Sequence, residues 1–175
     1  MKIRATLACL ALAGCVTPAA PVQMVSTFDP AEVAWSRGKG DATLEGSALL
    51  RTRGGDVRTC AGYPVSLTPE SKYAAERMMV LFKGGSEGYL PVMMYVAPPT
   101  FASTDPGYTA SVREVTCDPQ GKFVFKDIPA GNYFVTTKVY WEVPQQYVSE
   151  PQGGTLMKAV KLEAGEAKSV VLTVN

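Results

Sequence analysis

The second half of the chain alternates apolar and polar residues over short segments, and this pattern constrains the fold more than any other feature. Tyr133, Val135, Val139 and Trp141 share one face of a predicted strand over residues 133–143. Alternation with a period of two is typical of a strand with one buried face. Similar strands, bounded by Gly and Pro turns, are predicted over residues 42–52, 59–67, 92–97, 110–117, 122–126, 155–162 and 167–174. The sequence therefore predicts a mainly β fold with seven or eight strands in a sandwich.

Capping residues predict one or two short helices beside these strands. Asp29 is a suitable N-cap and Pro30 suits the first helical position, which predicts a helix of two turns. Thr68 and Pro69 stand in the same relation and predict a second helix, which ends at the glycine pair 84–85. We expect the second helix to lie over an edge or an end of the sandwich.

The N-terminus has the features of an export signal. Lys2 and Arg4 precede an apolar run of nine residues, about half of the ~18 that a membrane-spanning helix needs. Residues 12–15, Leu-Ala-Gly-Cys, resemble the bacterial lipobox. The resemblance implies cleavage before Cys15, a diacylglyceryl (palmitate-type) lipid on its sulfur and attachment to a membrane. Because residue 16 is Val16 rather than Asp, the enterobacterial sorting pattern implies the outer membrane, facing the periplasm.

These features divide the chain into three parts. Residues 1–14 are the predicted lipoprotein signal peptide, and residues 15–40 are the lipidated cysteine, a tether and a short helix. Residues 41–175 are the predicted β-sandwich, with an insert at about 68–107. Cleavage before Cys15 leaves 161 of the 175 residues, which is enough for one domain with a core.

Charge and composition exclude several classes of function. The whole chain has a formal net charge of +1 and no basic block, so a nucleic-acid partner is not expected. It has no histidine, which removes the commonest general base and metal ligand. It also lacks the sequence motifs of hydrolases and nucleotide-binding proteins. We therefore predict no enzymatic activity, no cofactor and no metal site, although an enzyme with an unrecognised site stays open.

The cysteines divide by position. Cys9 leaves with the signal peptide and Cys15 takes the lipid, so Cys60 and Cys117 remain as an even pair in an exported domain. Such pairs form disulfides in oxidising compartments, and closure of a loop of this size contributes roughly 4 kcal/mol on the loop-entropy model. A metal site and a redox pair are the alternatives. Neither is favoured, because the chain has no CxxC and the two cysteines are far apart in sequence.

Two turns in the second half carry a family resemblance. Residues 118–125, Asp-Pro-Gln-Gly-Lys-Phe-Val-Phe, and residues 128–133, Ile-Pro-Ala-Gly-Asn-Tyr, are similar to the signature of carboxypeptidase regulatory-like domains. That resemblance implies a Greek-key sandwich of the transthyretin (prealbumin) type, with Phe123, Phe125 and Tyr133 facing the interior. It also implies that Cys60 and Cys117 lie side by side at strand ends. The domain of this family is not catalytic.

The insert is the predicted interaction surface. It and the residue that follows it contain an aromatic and methionine-rich set that is suited to contacts with proteins or peptides: Tyr89, Met93, Met94, Tyr95, Phe101 and Tyr108. The alternative is that these side chains only cover the core. Two hypotheses follow. One is a lipid-anchored binding or scaffold module that contacts an envelope protein or a surface polymer, and the other is a purely structural envelope lipoprotein without a ligand.

Overall fold

The fold is mainly β, as predicted. The computed structural model describes residues 20–94 and 96–174, and within them nine strands form two sheets. The first sheet contains β1 (Ala42–Arg51), β2 (Val57–Thr59), β6 (Lys122–Ile128) and β9 (Ala167–Leu172). The second contains β3 (Pro64–Pro69), β4 (Glu87–Pro91), β5 (Arg113–Thr116), β7 (Gly131–Pro144) and β8 (Ser149–Leu162).

β1 is the central strand of the first sheet. One of its edges pairs in parallel with β9. Its other edge pairs antiparallel with β6 and then with β2, and Ala48 marks the junction between these two partners. Ala48 donates its N–H to the Gly121 carbonyl at 3.2 Å, and its own carbonyl accepts from the N–H of Cys60 at 3.1 Å. β6 and β2 therefore follow each other along the same edge.

The second sheet is antiparallel, in the order β4-β8-β7-β3-β5. Its centre is the hairpin of β7 and β8, two strands of 14 residues that pair from Gly131 and Leu162 to Pro144 and Ser149. Burial is confined to one part of this hairpin. No residue of 140–144 or of 149–152 is buried, so the tip of the hairpin projects beyond the packed part of the molecule.

The main apolar core lies between the two sheets. Tyr133, Val135 and Val139 of β7 point into it, in the alternation that the sequence predicts, together with Phe123 and Phe125 of β6. The Tyr133 hydroxyl donates to the Pro129 carbonyl at 2.9 Å, and burial raises its pKa to about 12. The resemblance-based placement of these three aromatic side chains is therefore confirmed.

A helical layer covers the opposite face of the second sheet. It consists of α1 (Lys72–Phe82) and α2 (Pro106–Ser111). Tyr73, Met78 and Tyr108 of these helices pack against Phe134 of β7 and Met157 of β8. The second sheet is therefore buried on both faces around Phe134 and Met157, whereas the sequence pattern predicts a wet outer face.

The start of α1 differs from the prediction. Ser71 is the N-cap, and its Oγ accepts from the N–H of Ala74 at 3.1 Å. The prediction of Thr68 as the cap and Pro69 as the first helical residue is wrong, because both belong to β3 and pair with β7. Register within the sheet overrides the local capping signal here. Lys83, with φ 60°, ends the helix just before the predicted glycines.

Three other local predictions are corrected. The predicted helix after Asp29 is a 3-10 helix, Ala34–Arg37. The strand expected over 92–97 lies earlier, as β4, and the segment over 110–117 divides into the end of α2 and β5. The strand expected over 59–67 is interrupted by a turn at Gly62, where φ is +78°. That turn separates β2 in one sheet from β3 in the other, which raises the number of strands to nine in the described chain.

The predicted disulfide joins the two sheets. Cys60 and Cys117 are bonded, with their Cα atoms 5.8 Å apart, and both are buried. Cys60 follows β2 of the first sheet and Cys117 follows β5 of the second. The bond thus fixes the two layers to each other at one end of the shared core.

The described part of the predicted tether lies against the domain. Val22 pairs with Phe101, and Met24 and Phe28 pack on the helical layer. The Glu76 carboxylate of α1 accepts from the N–H groups of Val25 and Ser26, each at 2.7 Å, and from the Ser26 hydroxyl. These hydrogen bonds lower the pKa of Glu76, with the Ser26 hydroxyl the largest cause. Residues 22–28 are therefore a docked segment rather than a free linker.

Candidate functional site

The structure divides the predicted interaction surface into two groups. Tyr108 is buried in the helical layer and Phe101 is half-buried beside it. The Arg77 guanidinium carbon lies 3.8 Å from the centre of the Phe101 ring and 5.0 Å from that of Tyr108. Tyr108 therefore belongs to the apolar cluster between the helical layer and the second sheet, and its predicted place on an exposed surface is corrected. Phe101 is partly covered by Arg77. Tyr95 and the lipidation residue Cys15 lie outside the described residues.

The other group meets at the open end of the sandwich. Tyr89, Met93 and Met94 line a cleft of about 590 Å³ between the tip of the β7–β8 hairpin and the end of β1. A smaller cavity of about 320 Å³ continues from it past Tyr89 toward Leu50 and the end of β9. The cleft is open because the hairpin is longer than the strands that face it.

Two aromatic side chains form the floor of the cleft. The Tyr89 hydroxyl donates to the Gly153 carbonyl at 2.7 Å, and its pKa is raised by burial and, to a smaller degree, by Tyr140. Trp141 of β7 is half-buried and packs against the main core while it lines both cavities. The sequence pattern favours core packing for Trp141, and the structure adds a position at the cleft wall.

A glycine pair in β8 allows the two rings to approach the backbone. Gly153 has φ +97°, and a Cβ there would lie 2.0 Å from the Val139 carbonyl and 2.9 Å from the Trp141 ring. A Cβ on Gly154 would lie 2.6 Å from the Tyr89 ring. Since such distances are well below van der Waals contact, only glycine leaves room for both aromatic side chains.

Planar polar side chains surround the aromatic floor. Arg51 ends β1 and Arg53 follows it in the turn, while Gln145, Glu150 and Gln152 come from the hairpin tip. Gln145 donates to the Glu150 carboxylate at 3.5 Å. Guanidinium, amide and carboxylate groups present paired donors or acceptors in one plane, and their partners are adjacent polar atoms of a ligand. From the sequence we expect a polar loop over residues 145–154, whereas residues 149–154 belong to β8. The one feature of the sequence that could have indicated a polar rim is the run of glutamine and acidic residues after Trp141.

An apolar groove of about 700 Å³ lies beside the cleft. It runs between the end of α1 and the loop after β4, and the two cavities share the wall formed by residues 91–94. Three side chains of this wall and loop are strongly exposed for their type, namely Met93 at 51%, Met94 at 37% and Val96 at 57%. The insert thus presents an exposed apolar surface, which the purely structural hypothesis does not predict.

Residues 20–94 and 96–174 contain no group of three or more Cys, Asp or Glu side chains placed to hold a metal ion. In the same described segments, no helix has the length and apolar character needed to cross a membrane.

Comparison with solved structures finds a likeness to a protein of proposed function. No protein-family model and no curated protein matches the chain. The crystal structure of a proposed carbohydrate-binding protein from Pseudomonas aeruginosa is similar to it, with a TM-score of 0.70 and 26% sequence identity. The likeness covers 85% of this chain and 99% of that protein. Almost the whole of the Pseudomonas protein therefore has its counterpart in this chain.

Proposed function

We propose that this chain is a non-enzymatic, lipid-anchored binding module of the bacterial envelope, and that it binds a carbohydrate polymer in the cleft at the open end of the sandwich. The observation that carries the proposal is the pair Tyr89 and Trp141, set against the glycines of β8 and bordered by planar polar groups. The likeness to a proposed carbohydrate-binding protein supports the same class of ligand.

The chemistry of sugars suits this arrangement. One face of a pyranose ring is lined with C–H groups, which pack on aromatic rings, whereas its edge carries hydroxyls that need hydrogen-bond partners. The Trp141 and Tyr89 rings offer the apolar contact. Arg51, Gln152 and Glu150 offer donors and acceptors at the rim. Because the cleft is open to solvent on one side, it suits an internal stretch of a polymer as well as a chain end.

A pair of tryptophan variants tests this function. Trp141→Ala should weaken binding of envelope saccharides, such as lipopolysaccharide core oligosaccharide or peptidoglycan glycan strands, by at least tenfold in isothermal titration calorimetry. Trp35→Ala is the matched control, since Trp35 is also partly exposed but packs against Tyr133, with ring centres 5.1 Å apart. Trp35 does not line the cleft. Equal affinities of the two variants would contradict the assignment of the site.

The membrane anchor is part of the proposal and has its own test. The lipobox resemblance of residues 12–15 supports a lipid on Cys15, and the resemblance to the sorting pattern favours the outer membrane with the domain in the periplasm. Mass spectrometry of the mature protein should find an N-terminal peptide that begins at Cys15 and carries diacylglycerol. Recovery of an unmodified Cys15 thiol from envelopes would refute the anchor and leave the saccharide assay unaffected.

We also propose that the sandwich has the Greek-key topology of carboxypeptidase regulatory-like domains. The two signature turns support this relation, because Gly121 and Gly131 adopt φ values of +76° and +155° on either side of β6. An experimental structure, compared strand by strand with members of that family, would test it.

A further inference from the structure

A second surface of the insert lacks a partner within the described chain. Residues 91–94 and 96–99, which we call the apolar loop, form one wall of the groove beside the cleft. Among the described residues that line this groove, Lys138 is charged, the others are uncharged, and none is acidic. Pro98 and Pro99 have no backbone N–H, so fewer polar groups of the loop lose water when it enters an apolar phase.

The docked N-terminal segment determines what can cover this surface. Val22 donates its N–H to the Thr100 carbonyl at 2.8 Å and accepts from the N–H of Ala102 at 3.0 Å. The chain that leads back to Cys15 therefore leaves the domain immediately beside the end of the apolar loop. Six residues lie between Cys15 and Val22, so seven peptide units join their Cα atoms. Fully extended, they span at most about 25 Å.

We propose that the apolar loop docks into the surface of the bilayer that holds the Cys15 lipid. The inference rests on the proposed anchor, because only the anchor brings the bilayer within reach. Val96 and Met94 would enter the interfacial region. Lys138 and Tyr140 of β7, which also line the groove, have the apolar stem and polar end that suit the depth of the headgroups. A second attachment of this kind fixes the orientation of the domain.

This orientation has a consequence for the carbohydrate site. The groove and the cleft share residues 91–94, so a docked loop holds the opening of the cleft beside the headgroups. The saccharide within reach is then one attached to the membrane or lying along it, rather than a distant soluble sugar.

Photo-crosslinking of the lipidated protein tests the docking. Benzoylphenylalanine replaces Val96 in one variant and Val171 in the other, and each protein is reconstituted in vesicles of phosphatidylethanolamine and phosphatidylglycerol. Val171 is the matched control, because it is 48% exposed, against 57% for Val96, but belongs to β9 in the other sheet. We expect phospholipid adducts at position 96 in at least tenfold greater yield than at position 171.

The outcomes separate the docking from the proposals on which it rests. Equal yields at the two positions on protein that floats with the vesicles would overturn loop docking alone. Crosslinks from position 96 to a protein instead of to lipid in native envelopes would also overturn it. Protein that does not float with the vesicles would refute the anchor, and the docking with it. Saccharide binding in solution is measured separately and decides only the function of the cleft.

Discussion

The two halves of the β7–β8 hairpin have the same backbone pairing and opposite surroundings. From Gly131 to Val139 on β7, one face meets the first sheet, and Phe134 on the other face packs under the helical layer. From Tyr140 to Pro144, the same ladder continues without a single buried side chain. The difference shows that strand pairing alone does not bury side chains. The half of the hairpin that the first sheet and the helices cover, the covered half, contributes to the core. The other half, which no layer covers, forms a wall of the cleft.

Breaking the connection between the layers should have the largest effect on the covered half. The Cys60→Ser/Cys117→Ser variant loses a bond between residues 57 apart in sequence. On the loop-entropy model this lowers the free energy of unfolding by about 4 kcal/mol, or the melting temperature by roughly 10 °C. Calorimetry under non-reducing conditions measures it. The parent protein with its disulfide reduced should show the same fall in melting temperature. A fall in melting temperature of less than about 3 °C in both proteins would contradict the role of the bond.

Truncation within the hairpin compares its halves directly. Leu156 is 1% exposed in the main core, so Leu156→Ala should lower the free energy of unfolding by about 3 kcal/mol. Val143 belongs to the uncovered half, and Val143→Ala should cost less than about 1 kcal/mol. Urea denaturation of both variants provides the measurement. Equal losses would show that the tip is as well packed as the base.

Gly153 lies at the boundary between the covered and uncovered halves of the hairpin. Gly153→Ala places a methyl group 2.0 Å from the Val139 carbonyl at a residue with positive φ. We expect a loss of about 2 kcal/mol in stability, together with weaker saccharide binding as the Trp141 ring shifts. Gly54→Ala is the control, because the nearest atom to its Cβ would be 3.8 Å away. If Gly153→Ala leaves both stability and binding unchanged, the glycine does not position the ring.

The smallest effect concerns the docked segment 22–28, which packs on the outside of the helical layer over the covered half. Hydrogen bonds from this segment lower the pKa of Glu76, so its charged form is favoured when the segment is docked. Docking is therefore complete above the ordinary pKa of about 4.5 and weakens as the pH falls through the lower folded value. The amide resonances of Val25 and Ser26 should shift between pH 5 and 3. Glu76→Gln should remove that transition, and its persistence in this variant would exclude Glu76 as the cause.

Much of the packed core could be predicted from the sequence, because the patterns that indicate it are local. Phe123 and Phe125 face the core as their alternation predicts, and the even count of cysteines led to the Cys60–Cys117 bond. The helix cap was misplaced because Thr68 and Pro69 read equally well as a helix start, and only pairing with β7 assigns them to a strand. Competition between two local structures is resolved by register, which the sequence does not contain.

The candidate site was less predictable for a related reason. Tyr89 and Met94 were singled out for their chemistry, but so was Tyr108, which the structure buries. The rim residues Arg51 and Gln152 lie on different sheets and have no common sequence signal. They become neighbours only because the hairpin extends past the end of β1.

The sequence by itself determined the class of fold, the disulfide partners and the aromatic residues of the core, since each depends on periodicity, turn chemistry or residue count. It also carries the lipobox-like segment from which the anchor is proposed. Only the tertiary structure decided that the second sheet is covered on both faces around Phe134 and Met157, and that Trp141 lines a cleft. The physical reason is that burial depends on which layers cover a strand. Which layers cover a strand depends on the relative lengths and the packing of separate elements, and no single segment of the sequence encodes this.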